Sequence, residues 1–348
     1  MVTIGYMHYR KKPINLCKAY AFAAVAKAEG VKLLYFSPGA VDFQKHRIKG
    51  YIYNNGSWIK KVSKFPDVIY NVTGFSYIKQ DDIADKLREE IPFTSNSIGS
   101  KMTVFNNLVK YGEFIDNLIP TENVLYAEQF FKFIDKHQKV VFKPSFGCQG
   151  DDVYYIQKIG NIYEILLNEC KNSMNINEAT QFVDNKIKTQ DFIIQPYINS
   201  RTKLGYPYDI RLHAQKGFNG EWVTVKIYPR VSLTNNIVCN IHKGGYTADP
   251  DIFFKREFGD CYDDLMGKIK NFTLNLAMHL DRIQMELYQE ELDELGIDIG
   301  LDDNMEIRIY EINWRPGYPP SMNADLSVIK NIIQYSKFLA ARGCKRNE

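Results

Sequence analysis

Near the C-terminal end, two carboxylates and an amide fall on two strand-like segments. Asp298 lies in an apolar run, and Glu311 and Asn313 lie two residues apart in a second one. Residues two apart on a strand point to the same side of a sheet, so Glu311 and Asn313 should converge. A hairpin turn at 302–304 would bring Asp298 beside them. Such hard oxygen ligands suit Mg²⁺, and the alternative is a structural ion pair between a carboxylate and a nearby arginine.

A lysine followed by a glycine-containing loop is the second candidate. Lys143 ends an apolar strand, and Ser145, Gly147 and Gly150 follow it. Glycine lets backbone amides come close to a ligand, so this loop is expected to approach phosphate groups. The sequence contains neither a Gly-x-x-x-x-Gly-Lys-Ser/Thr phosphate loop nor a Gly-x-Gly-x-x-Gly dinucleotide fingerprint. The alternative is a plain hairpin turn, in which glycine is common.

Positively charged residues on later strands could bind oxyanions. Asp209 and Arg211 are two residues apart and share one face, while Lys226 and Arg230 follow on the next strand. The forked donors of arginine suit phosphate and carboxylate oxygens. A glycine-containing loop at 240–245 adds further donors.

The composition excludes several broad classes. The chain has 348 residues, with 44 Lys and Arg against 41 Asp and Glu, a net charge of +3. A protein that binds nucleic acid mainly through phosphate contacts is usually more basic. Six scattered cysteines without a Cys-x-x-Cys pair argue against structural zinc. No apolar run approaches the ~20 residues that span a bilayer, and no secretion signal is visible, so we expect a reduced, cytoplasmic protein.

Acidic residues are concentrated late in the chain. Residues 281–311 contain 11 acidic and 2 basic residues, a net charge of −9. Charge runs usually lie on a solvated helix face, and we expect this for the four acidic residues of 290–294. The two acidic residues placed on strands above are the exception.

The first part of the chain predicts a small open α/β unit over residues 1–95. Continuous apolar runs are typical of buried parallel strands, and apolar residues at helical spacing lie between them. Proline can begin a helix because its missing N–H is not needed in the first turn. The predicted elements are strands over 2–6, 31–36 and 67–72, a helix from Pro13 to Gly30 and a helix over 79–90.

The remainder predicts hairpins separated by helices. A hairpin is expected around the glycine-containing loop, and a second one around the turn at 302–304. The predicted elements are strands over 140–143 and 153–156, helices over 162–170 and 178–186, a strand over 192–195, a hairpin over 208–228, a helix over 262–295, strands over 297–301 and 307–312, and a helix over 324–342.

The order of these pieces resembles the ATP-grasp proteins, and more closely the YheC/YheD group, named for endospore coat-associated proteins. The resemblance covers roughly Asn96 to Pro316, and its specificity lies in an ordered set of short motifs. These are Val141-Phe142-Lys143-Pro144, Phe192-Ile193-Ile194-Gln195, Tyr208-Asp209-Ile210-Arg211, Asn240 to Gly245, Leu295 to Gly300 and Glu311-Ile312-Asn313.

This resemblance implies a fold of mixed α/β and α+β class, an ATP-grasp fold with an N-terminal open α/β (pre-ATP-grasp) domain. The implied N-terminal domain covers 1–95. The implied small lobe with its glycine flap covers 96–195, and the large lobe with the Mg²⁺ site covers 196–348. ATP would lie between the two α+β lobes, with its adenine edge held by the backbone of the segment after Gln195.

The resemblance also assigns roles to single residues. ATP is the implied nucleotide and Mg²⁺ the implied metal, while arginines would steady the transferred phosphate or the acyl intermediate. The implied nucleotide-binding residues are Lys101, Lys143, Ser145, Gly147, Gly150, Gln195, Tyr197 and Lys226, the implied catalytic residues are Arg211, Arg230 and Lys243, and the implied metal ligands are Asp298, Glu311 and Asn313.

The activity that the resemblance implies is ATP- and Mg²⁺-dependent ligation of a carboxylate to an amine. In such enzymes the carboxylate attacks the γ-phosphate to give an acyl phosphate and ADP, and the amine then displaces phosphate. The expected partners are a carboxylate and an amine of the peptide or amino acid type, with neither nucleic acid nor membrane involved.

Two departures from the family pattern keep alternatives open. Asp151-Asp152 stand where a basic and a small residue are expected, and Gln195-Pro196-Tyr197 replaces the usual acidic hinge. One alternative is a spore coat-associated or scaffolding protein of the same fold that binds nucleotide with little or no turnover. Another is a phosphotransferase that stops at phosphorylation.

Overall fold

Three β-sheets follow one another along the chain and position the residues considered above. The computed structural model describes residues 1–72, 78–146, 151–167, 170–233, 239, 245–317 and 325–345. Of the helices found in these ranges, none is both long and apolar enough to cross a membrane.

The first sheet is built from the N-terminal residues. Its elements are β1 (Thr3–Met7), β2 (Lys32–Phe36), β3 (Val41–Asp42), β4 (Arg47–Asn54), β5 (Ser57–Lys64), β6 (Val68–Asn71) and β7 (Phe93–Thr94), with α1 (Cys17–Ala28) and α2 (Ile78–Glu90). Strand β1 pairs in parallel with β2 on one side and β6 on the other, which confirms the predicted open α/β unit. The antiparallel pair β4–β5 was not predicted. Helix α1 begins at Cys17 rather than Pro13, because Asn15 adopts a left-handed conformation (φ 64°) that a helix cannot contain.

The second sheet is antiparallel and carries the segment around Lys143. Its elements are β8 (Glu122–Val124), β9 (Lys139–Pro144), β10 (Tyr154–Ile159), β11 (Ile162–Leu167), β12 (Cys170–Met174) and β13 (Phe192–Pro196), with α3 (Lys101–Tyr111) preceding it and α4 (Ala127–His137) and α5 (Ile176–Ile187) covering it. The predicted helix over 162–170 is wrong. Residues 162–167 are strand, because alternate side chains, Tyr163 and Ile165, enter the core while the backbone pairs with β10.

The third sheet is antiparallel and carries the candidate metal ligands. Its elements are β14 (Tyr208–Lys216), β15 (Trp222–Ser232), β16 (Gly245–Thr247), β17 (Glu294–Leu301) and β18 (Ile307–Asn313), with α6 (Pro250–Phe258) and α7 (Tyr262–Tyr288). The predicted hairpin around 302–304 is confirmed. The predicted helix over 262–295 is too long. It ends at Tyr288, where Gln289 turns left-handed (φ 57°) and sends the chain into β17.

The last helix connects the two ends of the chain. The predicted C-terminal helix is present as α8 (Leu326–Lys345) and packs beside α1. Its side chains Val328, Ile332 and Ile333 are buried in the same core as Phe22. The sequence-predicted large lobe therefore contains a helix that packs with the N-terminal sheet.

A buried carboxylate lies where the first and third sheets meet. Asp293 accepts a 2.6 Å hydrogen bond from the backbone N–H of Ser95, which follows the last strand of the first sheet. Burial and the neighbouring Glu294 raise the pKa of Asp293 to about 7, although Ser95 and Lys216 act in the opposite direction. The expectation that the acidic residues of 290–294 lie on a solvated helix is therefore wrong for Asp293 and Glu294, which are buried.

The raised pKa of Asp293 predicts a specific pH dependence of stability. The folded state holds this proton more tightly than the unfolded state, whose pKa is near 3.8, so stability decreases as pH rises from 3.8 to about 7. Asp293→Asn keeps an acceptor for Ser95 but has no charge to bury. We expect the free energy of unfolding of the variant to rise above that of the parent across this range, by up to about 4 kcal/mol at neutral pH.

Urea unfolding at several pH values measures this difference. Asp264→Asn, at an exposed position of α7, is the matched control and should follow the parent. If the free energies of unfolding of Asp293→Asn and the parent differed by a constant amount from pH 4 to 7, the prediction would be contradicted.

Candidate active site

One face of the third sheet is polar, because polar and apolar residues alternate along its strands. On β14, Ile210 and Leu212 enter the hydrophobic core, whereas Asp209 and Arg211 face the other way. The pairing of strands places Arg211 opposite Asp298 on β17. Asp209 and Arg211 share one face, as predicted. Neighbouring strands add further charged residues to that face.

Two arginines and two aspartates form an ion-pair network on this face, which we call the charge quartet. Arg230 binds Asp209 through Nε–Oδ1 (2.6 Å) and Nη2–Oδ2 (2.8 Å). Its Nη2 also lies 3.0 Å from Oδ1 of Asp298. Arg211 binds Asp298 through Nε and, at 3.0 Å, through Nη2. The ion-pair alternative for Asp298 is therefore present in the structure.

The quartet sets the protonation of its carboxylates. Burial alone would raise the pKa of Asp298, but Arg211 and Arg230 outweigh it and hold this pKa below its usual value. For Asp209 burial dominates and raises the pKa, although Arg230 opposes it. Asp298 is consequently an anion whose charge is stabilised from the β14 and β15 side of the sheet.

The other two predicted metal ligands lie on the opposite side of Asp298. Glu311 on β18 is directly across from Asp298, and Asn313 is across from Gly296. The Oε1 atom of Glu311 is 3.8 Å from Nζ of Lys101. Among the described residues, no group of three or more His, Cys, Asp or Glu side chains is arranged to hold a metal. The predicted set contains only two carboxylates, and its third member is an amide, so this result does not bear on it. Metal binding there stays a prediction.

A cleft separates the second and third sheets and is closed on one side by α3. Its lining brings together four of the predicted residues, Lys101, Lys143, Gln195 and Glu311, from four separate elements. The space between the lining atoms, open mouth included, is about 470 Å³. The rest of the lining is mostly apolar and consists of Met102, Val104, Phe105, Leu108, Leu118, Ile119, Thr121, Ile193, Ile309, Tyr310 and Ile312.

The polar end of this cleft is positively charged. Burial and the nearby ammonium of Lys101 lower the pKa of Lys143 to about 8, against 10.5 for an ordinary lysine. Glu311 and Asp298 oppose this shift but do not cancel it. Lys101 is also the first residue of α3, where free backbone N–H groups favour anions. Two lysines held this close together are stabilised when an anion lies between them.

The loop after Lys143 is only partly within the described residues. Ser145 is buried, and among the described residues its hydroxyl has no hydrogen-bond partner. Gly147 and Gly150, and likewise Lys243 of the later loop, lie outside the described residues. Asp152 accepts hydrogen bonds from Lys186 (3.0 Å) and from the Tyr154 hydroxyl (2.6 Å). The negative charge of Asp152 is thus compensated by Lys186.

Two predicted nucleotide-binding residues lie away from the cleft lining. The backbone N–H of Tyr197 donates to the carbonyl of Lys139 at 2.9 Å, and the Tyr197 ring packs edge-on against Tyr155. The ammonium of Lys226 shares the polar face of the third sheet but lies 3.0 Å from Asp325, at the start of α8. The roles assigned to these two residues stay predictions.

Sequence reasoning missed the continuation of the polar face toward the first sheet. His213 and Gln215 lie on the same side of β14 as Arg211, and both contact Oε1 of Glu294, at 3.0 and 2.8 Å. All three are buried. The alternation that joined Asp209 to Arg211 runs on through His213 and Gln215 and would have identified them. Glu294 was hidden within the acidic run.

A half-buried arginine lies between this continuation and the first sheet. Arg315 packs over the ring of Trp314, with Cζ 3.6 Å from the ring centroid. Burial lowers the pKa of Arg315 to about 10, while Tyr70 and Glu294 act to raise it. In the described part of the chain, Nη1 of Arg315 and Oδ1 of Asn71 are buried without hydrogen-bond partners. The junction between the sheets therefore contains donors and acceptors that remain available.

Comparison with known proteins gives a coherent result. The family model described as YheC/D like ATP-grasp matches residues 90–339. Endospore coat-associated protein YheC of Bacillus subtilis (strain 168) is 25% identical over 334 residues, which are 91% of this chain and 89% of that protein.

Solved structures agree on the fold at low sequence identity. The D-alanine-D-alanine ligase of Coxiella burnetii matches with a TM-score of 0.55 and 9% identity, over 100% of this chain and 97% of the ligase. A RiPP-associated ATP-grasp ligase of Chryseobacterium gregarium, in complex with ADP and a leader and core peptide, matches with a TM-score of 0.52 and 12% identity, over 99% and 97% of the two chains. With its fold, its cleft and a family match over most of its length, the chain belongs to the YheC/D-like ATP-grasp family.

Proposed function

We propose that this protein is an ATP- and Mg²⁺-dependent ligase that joins a carboxylate to an amine through an acyl phosphate. The observation that carries the proposal is the convergence of Lys101, Lys143, Gln195 and Glu311 on one cleft between two sheets. Two of the similar folds belong to proteins described as ligases, one of them bound to ADP and peptides.

The residues of the cleft suggest how ATP would lie there. The apolar part of the cleft would receive the adenine ring, and the side-chain amide of Gln195 would lie at the edge of the ring. A 2.7 Å hydrogen bond to the hydroxyl of Thr121 fixes this amide. The phosphates would extend toward Lys101 and Lys143. Two positioned ammonium groups neutralise phosphate charge, and this lets an anionic carboxylate approach the γ-phosphate.

The oxygen set suits Mg²⁺. Asp298 and Glu311 face each other across β17 and β18, and Asn313 follows on the same side as Glu311. These three side chains would hold a divalent ion, which would reduce the negative charge of the phosphates. Asp298 keeps lone pairs beyond those used by its arginines, and the quartet keeps it ionised.

The arginines of the quartet would stabilise phosphate charge because they are held in fixed positions. Arg211 and Arg230 are buried, so their guanidinium groups are fixed and partly dehydrated beside the proposed phosphate site. Fixed cations stabilise charge that develops during transfer, and one such donor is typically worth about 3–4 kcal/mol. Carboxylate attack forms the acyl phosphate and releases ADP. Attack by the amine then forms the C–N bond and releases phosphate.

The carboxylate substrate would enter from the first sheet. Strands β2 and β6 lie on opposite sides of β1, and ligands of open α/β sheets bind in the crevice at such a switch point. Asn71 ends β6 at this crevice, where its buried Oδ1 atom and Nη1 of Arg315 are available among the described residues. Arginine is suited to binding a carboxylate through paired donors.

Glu311→Gln tests the proposed metal ligand. The change removes one charge without changing shape, so we expect ADP release to fall roughly 100-fold or more, with unfolding unaffected. ADP and phosphate are followed with Mg²⁺, ATP and pooled amino acids or peptides. Glu306→Gln is the matched control, because Glu306 is exposed and pairs with Lys268. ADP release by Glu311→Gln at the parental rate would refute the proposal.

The lowered pKa of Lys143 predicts pH-dependent nucleotide binding. At pH above about 8 the free protein has lost this proton, whereas a bound phosphate group favours the charged form. ADP binding should therefore take up a proton and weaken by up to about tenfold per pH unit above 8. Lys143→Arg stays charged and should lose this dependence.

Calorimetry in buffers of different ionisation enthalpy counts the protons. Equal heats in all buffers at pH 8.5, with affinity independent of pH, would show that Lys143 does not contact the nucleotide.

A second candidate is a spore coat-associated protein of this fold that binds nucleotide with little turnover. It is favoured by the name of the relative YheC and by the pairing of Asp298 with two arginines, which occupies part of its metal-binding capacity. Nucleotide binding that depends on Lys143, without ADP release from any substrate pool, would favour this candidate.

A further inference from the structure

A concentrated positive charge lies on the first sheet, away from the cleft. Residues 1–65 contain 12 Lys and Arg but only 2 Asp and Glu, whereas the whole chain has a net charge of +3. Within this region, residues 43–66 carry six Lys and Arg and no acidic residue. Residues 47–64 of this segment form the antiparallel pair β4–β5, which we call the basic ribbon.

Four of the six cations share one face of the ribbon. Arg47 is directly opposite Lys64, Lys49 is opposite Val62, and Tyr51 is opposite Lys60. Residues opposite each other and residues two apart along one strand lie on the same face, at spacings of about 5 Å and about 7 Å. The four cations are therefore close neighbours on an open surface.

Nothing in the described structure neutralises these four cations. All four are exposed, and none lies within 4.0 Å of a carboxylate oxygen among the described residues. The nearest acidic residue by register is Asp42, opposite Arg47 on β3, and its carboxylate accepts a hydrogen bond from the backbone N–H of Lys45 at 3.1 Å.

This arrangement works against the stability of the ribbon. Like charges directly opposite each other on neighbouring strands are destabilising, as with Arg47 and Lys64. Lysines are common on edge strands, where they prevent aggregation. That explanation covers β5 but not the cations of β4, which pairs with β5 on one side and with β2 and β3 on the other. The cations of β4 therefore point to an anionic ligand.

The outer edge of the ribbon has backbone groups to offer. Within the part of the chain that the structure describes, β5 pairs with β4 alone, so the other edge of its eight residues is open. Val62 is 56% exposed on the same face as the cations. An extended peptide can add to such an edge through main-chain hydrogen bonds, whereas a nucleic acid backbone lacks the matching N–H and C=O pattern.

We propose that the basic ribbon binds an acidic polypeptide segment, which adds to β5 as a further strand. Alternate side chains of an extended peptide repeat at about 7 Å, and Lys60 and Lys64 are two such repeats apart, about 14 Å, with Val62 between them. Its carboxylates would face these two lysines and reach Arg47 and Lys49 behind them. The proposal is independent of the ligase activity, because no residue of the ribbon lies in the cleft.

Fluorescence anisotropy tests this with a fluorescein-labelled peptide of alternating Glu and Val, long enough to span β5. Lys60→Gln/Lys64→Gln should bind it about tenfold more weakly, and added salt should weaken the parent. Lys27→Gln/Lys61→Gln is the matched control. It removes the same charge from exposed positions on α1 and on the opposite face of β5, and should bind like the parent.

Three outcomes would overturn the proposal. Equal losses in the two double variants would show only a general effect of net charge. Undiminished binding of the same peptide with N-methylated backbone amides would exclude strand addition. Tighter binding of single-stranded oligouridylate of equal charge would assign the ribbon to nucleic acid. Thermal unfolding of Lys60→Gln/Lys64→Gln at or above the parental temperature ensures that weaker binding does not reflect misfolding.

Discussion

The charge quartet on the third sheet is the constraint on which the candidate site depends. Arg211, Arg230 and Asp298 are buried, and each would be costly to bury alone, by several kcal/mol. Their mutual pairing makes burial tolerable only when β14, β15 and β17 keep their present register. A slip of one residue would turn every charge into the hydrophobic core. The quartet therefore specifies the strand alignment as well as the electrostatics of the site.

The same alternation of residues gives the third sheet one apolar face and one polar face. Ile210, Leu212, Ile297 and Ile299 fill one face and pack against α7 in the core. The opposite face is left to charged and polar groups, which extend from the cleft to the junction with the first sheet. A single two-residue period thus provides a packed apolar side and a charged, polar side.

Charge is also divided between regions of the chain. The N-terminal sheet carries most of the positive excess, and residues 281–311 carry a net charge of −9, so the total of +3 describes neither region. Part of the late acidic charge is paired internally, since Asp298 pairs with two arginines and Glu291 with Lys216 and Arg342. The positive charge of the ribbon has no such internal partner among the described residues, and so it faces solvent.

The sequence by itself determined the period-two strands, the hairpin around 302–304 and the order of motifs that carries the family resemblance, because these are local patterns. It was wrong for 162–170, since a short apolar segment fits a helix or a strand and pairing with a distant strand decides between them. It was also wrong for 289–295, because Gln289 turns left-handed and ends the helix. Tertiary structure alone decided that Lys101, Lys143 and Glu311 meet in one cleft and that Asp298 is held by two arginines. The reason is physical: these residues are separated by tens to hundreds of positions, and only the packing of three sheets sets the distances between their side chains.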